Sequence, residues 1–424
     1  MEPALNAYAA VILGALLIEF ALDWLANTLN LKTLDAPLPE AFRGVYDEDA
    51  YRRMQRYTRE TTRFGRVTSS LALGLLLIFW WMGGFAFLDQ AIRAWGFDER
   101  ITGIAFIVAL VLGRAVLFLP FDLYATFGLE QRYGFNRTTL RTFVLDRVKG
   151  LLLGAVLGLP VLWLVLYFFA EAGATAWLWA WLVLALISLV LQVIVPAWIL
   201  PLFNTFEALE AGELRTALDR YASSVDFPLE EVYVVDGSRR SSRANAFFTG
   251  MGRHKRVALF DTLIEKQTTP ELMAILAHEV GHFKKRHLLQ TLLLGLAHNG
   301  ILLFLLSIFL THEGLFEAFG LAQPSVHAGL VFFGLLYAPI EMLLSIGLNA
   351  WSRRHEFEAD RFAVETVAEP EALTTALKKL AVDNLSHLTP HPLYVFLNYS
   401  HPPLIERLRA IGQAIRRRPA VATE

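Results

Sequence analysis

Long apolar stretches alternate with polar and charged stretches of varied length along this sequence. Seven of the apolar stretches are long enough to cross about 30 Å of hydrocarbon as helices of roughly 20 residues. Their approximate ranges are 5–28, 67–88, 101–123, 150–170, 176–202, 288–311 and 326–350. No basic residue precedes the first stretch and no polar break follows a short apolar core, so we predict an uncleaved first span rather than a secretory signal.

The polar stretches predict further elements outside the membrane. Residues 29–66 predict a cytosolic helical hairpin, and the tail 351–424 has a helical pattern broken by a Pro-rich stretch. Region 203–287 has mixed periodicity. In that region we predict a helix at 206–225, a strand at 231–237, a loop at 238–248, a second strand within 255–264 and a helix at 270–287.

Composition and charge support a membrane protein and give its orientation. Hydrophobic residues make up 55% of the 424 residues and charged residues only 18%, whereas soluble domains carry roughly 25% charged residues. Alternate loops contain 35 of the 38 Lys and Arg residues, which places these loops in the cytosol and the N-terminus outside. The net charge of −2 gives no reason to expect nucleic acid as a partner, and the absence of Cys excludes disulfides and Cys-bound metal.

One motif in the predicted helix 270–287 carries chemistry. His278, Glu279 and His282 form an H-E-x-x-H sequence. Residues four apart lie on the same face of a helix, so both imidazoles can face one metal ion. Glu279 lies beside that ion, where it can accept a proton from water. Zinc suits such a site best, and a structural His pair without metal is the alternative.

A third ligand must come from another segment, because Lys285 and Leu288 occupy the Gly and final His positions of the extended motif. Glu356 and Asp360 are four apart and share a helix face, while Glu358 points away by about 200°. One of the two carboxylates could bind zinc while the other orients a ligating His. A solvated, charged helix face is the alternative.

A third group of candidates lies near the C-terminus. His401 precedes Pro402 and Pro403, which prevent helix formation until Leu404. A rigid turn that presents His401, followed by Arg407, could stabilise an oxyanion during amide attack. A loop His and a surface Arg are the alternative.

These motifs in this order resemble the zinc-dependent CAAX prenyl protease family, whose members remove the last three residues from prenylated C-a-a-X proteins. The similar segments also include EQRYGFN at 130–136, SSRANAFFTG at 241–250 and YSHPPLIERL at 399–408. The resemblance covers almost the whole chain. It implies seven tilted helices around a water-filled chamber, with zinc near its cytosolic end.

The resemblance also implies roles for individual residues. These are His278, His282 and Glu356 as ligands of one Zn²⁺ ion, Glu279 as catalytic base, Asp360 as the partner of a ligating His, and His401 and Arg407 as lining residues. It further implies that SRANAFF is an edge strand. An extended substrate would lie against that strand, with Asn245 and Ala246 near the cleavage site.

Several polar residues fall within or near the ends of predicted spans: Glu19, Asp23, Arg114 and Glu341. Burial in lipid would cost several kcal/mol for each. They could line the chamber or pair between helices, and both interpretations place them away from lipid.

We therefore predict an all-α multi-pass membrane protein with a small zincin-like α+β catalytic region. The predicted regions are 1–202 with five membrane helices, 203–287 with the H-E-x-x-H helix, 288–350 with two membrane helices, and 351–424 with the third ligand. The predicted partners are membrane lipid and peptide or protein substrates, isoprenylated or not, and the predicted location is a bacterial inner membrane. A membrane quality-control protease of the HtpX kind and a non-enzymatic transporter or scaffold are the alternatives.

Overall fold

Seven helical segments in the described part of the chain are long and apolar enough to cross a membrane, as predicted. They are seen in a computed structural model that describes residues 2–249 and 255–418. The segments are Ala7–Asp35, Glu48–Trp81, Glu99–Glu130, Leu140–Glu171, Gly173–Phe203, His287–Phe309 and Val326–Thr366.

The described N-terminal half contains eight α-helices, and several of them end at π-helical turns that contain Gly or Pro. They are α1 (Ala7–Lys32), α2 (Glu48–Trp81), α3 (Gly84–Arg93), α4 (Glu99–Leu123), α5 (Leu140–Leu153), α6 (Leu159–Glu171), α7 (Ala176–Ile194) and α8 (Leu200–Phe203). π-Helical turns at Tyr124–Glu130, Gly154–Gly158 and Val195–Ile199 join several of them. Pro120 lies inside α4 just before the first of these turns, and it cannot donate a helical hydrogen bond.

The helical hairpin predicted at 29–66 is wrong. Residues 48–66 are the first half of α2, and the Asp47 side chain caps this helix by accepting a hydrogen bond from the Ala50 amide. The same helix ends at Trp81, before the predicted end at 88, because Gly83 adopts a φ of 71°. Polarity along the chain thus indicated the seven long apolar helical segments, but it did not indicate where a helix ends.

The C-terminal half continues with further helices. They are α9 (Glu213–Ser224), α10 (Asp261–Ile264), α11 (Thr269–Lys284), α12 (His287–Phe309), α13 (Glu313–Glu317), α14 (Val326–Thr366), α15 (Glu371–Asp383), α16 (Pro392–Asn398) and α17 (Leu404–Arg417). α14 is 41 residues long and passes through position 350 without a break, so the last membrane span and the EFEAD segment are one helix.

The chain between the fifth and sixth membrane segments forms a four-stranded sheet. The strands are β1 (Phe206–Ala208), β2 (Leu229–Val235), β3 (Ala246–Thr249) and β4 (Lys255–Phe260). Their spatial order is β1-β2-β4-β3, with β2 and β4 parallel and the other two pairs antiparallel. β1 corrects the helix predicted from residue 206, and β3 corrects the end of the predicted loop. The edge strand implied by the family resemblance at 242–248 is confirmed only from Ala246 onward.

Of the three buried clusters in the described part of the chain, two are linked through α14. One cluster joins the sheet to α9, α11, α14, α15 and α17 and includes Val232, Leu259, Leu276, Val364 and Leu373. The other lies between membrane helices and includes Trp80, Phe106, Phe319 and Phe332. α14 contributes residues to both clusters, so it links the membrane core to the core beneath the sheet.

Candidate active site

Helices α11 and α14 bring three potential metal ligands together. His278 Nε2 and His282 Nε2 lie 3.2 Å apart. Glu356 Oε2 is 3.5 Å from the first nitrogen, and Glu356 Oε1 is 3.4 Å from the second. Among the described residues, this is the group whose ligand atoms all lie within 4.8 Å of one another. The spacing predicted from H-E-x-x-H is thus realised in the geometry.

The chemistry of this group fits a divalent metal ion. Glu356 is only 4% exposed, and its Oε2 makes no hydrogen bond to the described residues, although Arg407 Nη1 lies 3.3 Å from it. A buried carboxylate oxygen without a hydrogen bond is costly unless a cation or donor satisfies it. Two imidazoles and one carboxylate are also the protein ligands of many catalytic zinc sites, which keep a fourth position open.

A glycine lets the two ligand-bearing helices approach each other. A Cβ atom added at Gly281 would lie 2.9 Å from Ala359 Cα and 3.2 Å from Phe362 Cβ. α11 begins at a capping box between Thr268 and Glu271. The sequence therefore fixes both where α11 starts and how close its central turn comes to α14.

We expect Gly281→Ala to weaken metal binding. Overpacking of this kind typically costs about 1–3 kcal/mol, and the added methyl group would push α11 from α14, which carries Glu356. Thermal unfolding and bound metal per chain measure the two effects. Gly295→Ala is the matched control, because it adds the same methyl to α12 with no atom within 4 Å. An unchanged metal content in Gly281→Ala would contradict this account.

Asp360 orients His278 from behind. Asp360 Oδ1 lies 2.9 Å from His278 Nδ1, and Asp360 is 1% exposed. Arg407 donates two hydrogen bonds to the same carboxylate, of 2.8 Å from Nε and 2.6 Å from Nη2. Asp360 thus makes the contact with a ligating His that its predicted role requires. A carboxylate bonded to Nδ1 leaves Nε2 to face the metal.

The predicted catalytic residues line one cleft of about 480 Å³. Its walls include His278, Glu279, His282, Glu356, Asn245, Ala246, His401 and Arg407. Burial raises the pKa of the Glu279 carboxyl, while His278 and His282 act in the opposite direction. A glutamate whose pKa is raised above its usual value accepts a proton more readily than an exposed glutamate does.

The two residues predicted to stabilise an oxyanion differ in their surroundings. His401 is exposed, and its Nε2 lies 3.3 Å from Glu356 Oε1. Its ring can therefore face a substrate in the cleft. Arg407 is largely buried, and two of its nitrogens are used by Asp360, while Nη1 lies 3.3 Å from Glu356 Oε2. Arg407 thus holds Asp360, the partner of His278, and lies beside the ligand Glu356.

β3 presents one edge to this cleft. β3 pairs with β4 on one side and is the last strand of the described sheet. Ala244, Asn245 and Ala246 line the cleft. The Asn245 side chain accepts a hydrogen bond from the Ala246 amide at 2.9 Å. An extended peptide could therefore add to this edge beside the three ligands.

A membrane-proximal segment holds the chain that enters β3. Arg243 donates a hydrogen bond to Glu130 Oε2 at 3.0 Å, and Tyr57 OH bonds Glu130 Oε1 at 2.6 Å. The Ser242 backbone amide donates a hydrogen bond of 3.1 Å to the Phe135 carbonyl. Nearby, the Arg137 amide donates one of 3.0 Å to the Arg240 carbonyl. The EQRYGFN motif, for which the sequence indicated no role, thus anchors the strand.

The intramembrane polar residues form two groups. Glu19, Asp23 and Glu341 line one cavity of about 320 Å³, and His298 Nε2 lies 3.1 Å from Glu341 Oε2. Arg114 lies apart, with its Cζ 5.3 Å from the centre of the Phe118 ring. The three carboxylates thus line one cavity between helices, and their position away from lipid stays a prediction.

Sequence reasoning missed two residues next to the ligands. His287 Nδ1 lies 3.0 Å from His282 Nδ1, and His287 Nε2 lies 3.2 Å from Glu358 Oε2. His287 appears in the sequence as the first residue of a membrane span, and Glu358 points away from the face of Glu356. The spacing between His282 and His287 is not a helical repeat, so no periodic signal connects them.

Two family profiles together match most of the chain. Residues 27–205 match the CAAX prenyl protease N-terminal region with five membrane helices, and residues 208–415 match Peptidase family M48. The CAAX prenyl protease 1 homolog of Arabidopsis thaliana is 34% identical over 95% of this chain and 97% of its own. The human homolog is 32% identical over 88% of each chain.

A solved structure shows a similar fold. The crystal structure of S. mikatae Ste24p superposes with a TM-score of 0.91 at 28% sequence identity, and the match covers 96% of this chain and 100% of that one. The probable CAAX prenyl protease 1 of Schizosaccharomyces pombe is 34% identical over 95% of this chain and 88% of its own.

Proposed function

The chain belongs to Peptidase family M48 together with the CAAX prenyl proteases, and from that membership we propose that its metal is zinc and its substrates are prenylated C-a-a-X proteins. It is a multi-pass membrane metallopeptidase. The observation that carries the proposal is the convergence of His278, His282 and Glu356 in a cleft beside β3, the last strand of the described sheet.

In the proposed reaction, a peptide bond near the C-terminus of the substrate is hydrolysed. Bound zinc would lower the pKa of water and polarise the scissile carbonyl. Glu279 accepts a proton from the attacking water and then delivers it to the leaving amine. His401 donates a hydrogen bond to the oxygen on which negative charge develops. Asp360 and Arg407 keep His278 oriented throughout.

The substrate backbone would lie along β3, with Asn245 and Ala246 beside the scissile bond. Hydrogen bonds to a strand edge recognise backbone and make little use of side chains. The anchor formed by Glu130 and Arg243 holds this edge at a fixed place relative to the membrane helices. The lipid of a prenylated substrate would then determine specificity more than the peptide sequence does.

We propose that the active site faces the cytosol and the N-terminus faces the opposite side. This orientation is supported by the concentration of basic residues in alternate loops, because cytosolic loops of membrane proteins are rich in Lys and Arg. The four regions predicted from the sequence, with boundaries after 202, 287 and 350, remain part of this proposal. A bacterial inner membrane as the location stays a prediction.

The alternatives differ in what they require. A quality-control protease of the HtpX kind would share the metal chemistry, but the match of residues 27–205 to the five-helix CAAX prenyl protease region favours the proposed class. A transporter or scaffold without enzymatic activity does not agree with membership of a peptidase family.

The test is cleavage of a farnesylated C-a-a-X peptide beside the same peptide without the lipid, using purified protein. We expect activity to be lost with a chelator and restored by Zn²⁺. Each buried CH₂ is worth about 0.8 kcal/mol, so burial of a few lipid carbons should raise kcat/KM about tenfold or more. Equal rates for the two peptides would refute the prenylated substrate, and activity that survives chelation would refute the metal mechanism.

A further inference from the structure

We propose that His287 and Glu358 are positioning residues that hold His282 in the one tautomer able to bind the metal. This inference rests on the proposed metal site but not on the proposed substrate. The sequence motif indicates the ligands, whereas the residues behind His282 emerge only from the contacts between α11, α12 and α14.

The contacts form a continuous chain behind the ligand. His282 Nε2 faces the other ligands, and His282 Nδ1 lies 3.0 Å from His287 Nδ1. His287 Nε2 lies 3.2 Å from Glu358 Oε2. The second oxygen of Glu358 accepts a hydrogen bond of 2.9 Å from Arg354 Nε. His287 is 3% exposed, so water does not compete freely for its nitrogens.

The hydrogen-bonding capacities of these groups allow only one proton arrangement. A neutral imidazole has one nitrogen that donates and one that accepts. The ionised Glu358 only accepts, so His287 Nε2 must carry its proton and His287 Nδ1 must accept. His282 Nδ1 must then donate, which leaves the lone pair of His282 Nε2 directed toward the metal.

The two ligating histidines are therefore supported in parallel ways. Asp360 and Arg407 support His278, whereas Glu358 and Arg354 support His282 through the ring of His287. Both supporting carboxylates lie on α14, within four residues of the ligand Glu356. The long helix thus supplies one ligand and fixes the orientation of both others.

The backbone explains how His287 reaches this position. Arg286 adopts a left-handed conformation with a φ of 58° between α11 and α12. A non-Gly residue with positive φ is uncommon. This sharp turn brings the first residue of α12 back against His282. The ring of His287 stacks on His355, with centroids 3.8 Å apart and planes 7° apart.

The test compares three variants of His287 and Glu358 for metal affinity, measured by competition with a chelator in the absence of peptide. His287→Leu removes the acceptor and should lower metal affinity about 10–100-fold. His287→Asn places an amide oxygen near the position of Nδ1 and should restore most of this loss. Glu358→Leu should weaken binding, because nothing then fixes the tautomer of His287.

Two further readouts separate positioning from a general structural role. The visible spectrum of the Co²⁺-loaded protein should change in His287→Leu, because it reports ligand geometry, and should revert in His287→Asn. Thermal unfolding of the metal-free variants should match that of the parent protein. Glu365→Leu is the control, because Glu365 is an exposed carboxylate on the same helix.

Unchanged affinity and spectrum in His287→Leu would overturn the proposal, as would equal losses in His287→Leu and His287→Asn. The proposed substrate can fail separately. A parent protein that binds metal but does not distinguish the farnesylated peptide would refute that substrate and leave the His287 result valid.

Discussion

Glu279→Gln should slow peptide hydrolysis by orders of magnitude while leaving metal bound. The amide has nearly the same shape as the carboxylate but cannot accept the proton from water. General base catalysis contributes about 10²–10⁴-fold, so kcat should fall by about that factor with a smaller change in KM. Because Glu279 lies in the cleft beside the ligands and is not one of them, metal per chain should stay at the parent value.

The control for this variant is Glu265→Gln, which changes an exposed glutamate shortly before the same helix. Hydrolysis of the farnesylated peptide should be unaffected there. If Glu279→Gln cleaves this peptide at the parent rate, Glu279 is not the base. If the variant loses its metal, the loss of activity says nothing specific about proton transfer, so metal content must be measured on the same sample.

Arg407→Leu should be the most destabilising single change at the site. It would leave Asp360, which is 1% exposed, as a buried charge without its bidentate partner. Breaking a buried ion pair in this way typically costs about 3–5 kcal/mol. We expect a large drop in the thermal unfolding midpoint and weaker metal binding, because Asp360 would no longer hold His278 in place.

Two comparisons test the cause of that effect. Combining Arg407→Leu with Asp360→Asn removes the unpaired charge and should recover part of the lost stability, though not the orientation of His278. Arg409→Leu replaces an exposed arginine two residues away and should have little effect. A double variant less stable than Arg407→Leu alone would contradict the unpaired-charge explanation.

The metal site was predictable because its residues are spaced along single helices. Contacts between distant segments could not be predicted in this way. H-E-x-x-H needs only the repeat of one helix, and the pair Glu356 and Asp360 needs only the same repeat in a second helix. The contact between Arg407 and Asp360 joins residues 47 apart, and no local pattern encodes it. Arg407 was predicted to stabilise an oxyanion, and the sequence did not indicate that two of its nitrogens bond Asp360.

Glu358 shows the same limit. The helical angle correctly placed it away from Glu356, but the sequence did not show that His287 occupies the space on that side. The fold follows a similar rule. The seven spans were predictable because each is a long apolar run, whereas the three-residue strand β1 is too short to show an alternating pattern and depends on its pairing with β2.

The unbroken length of α14 also limits how the gene can vary. Each residue of an α-helix advances the chain by about 1.5 Å and turns it by about 100°. Inserting one codon between Pro339 and Glu356 would turn the carboxylates of α14 away from α11. Inserting seven would nearly restore their direction but displace them by about 10 Å. Insertions and deletions are therefore incompatible with the site anywhere in this stretch, whereas the connection at 94–98 between α3 and α4 can change length without moving a ligand.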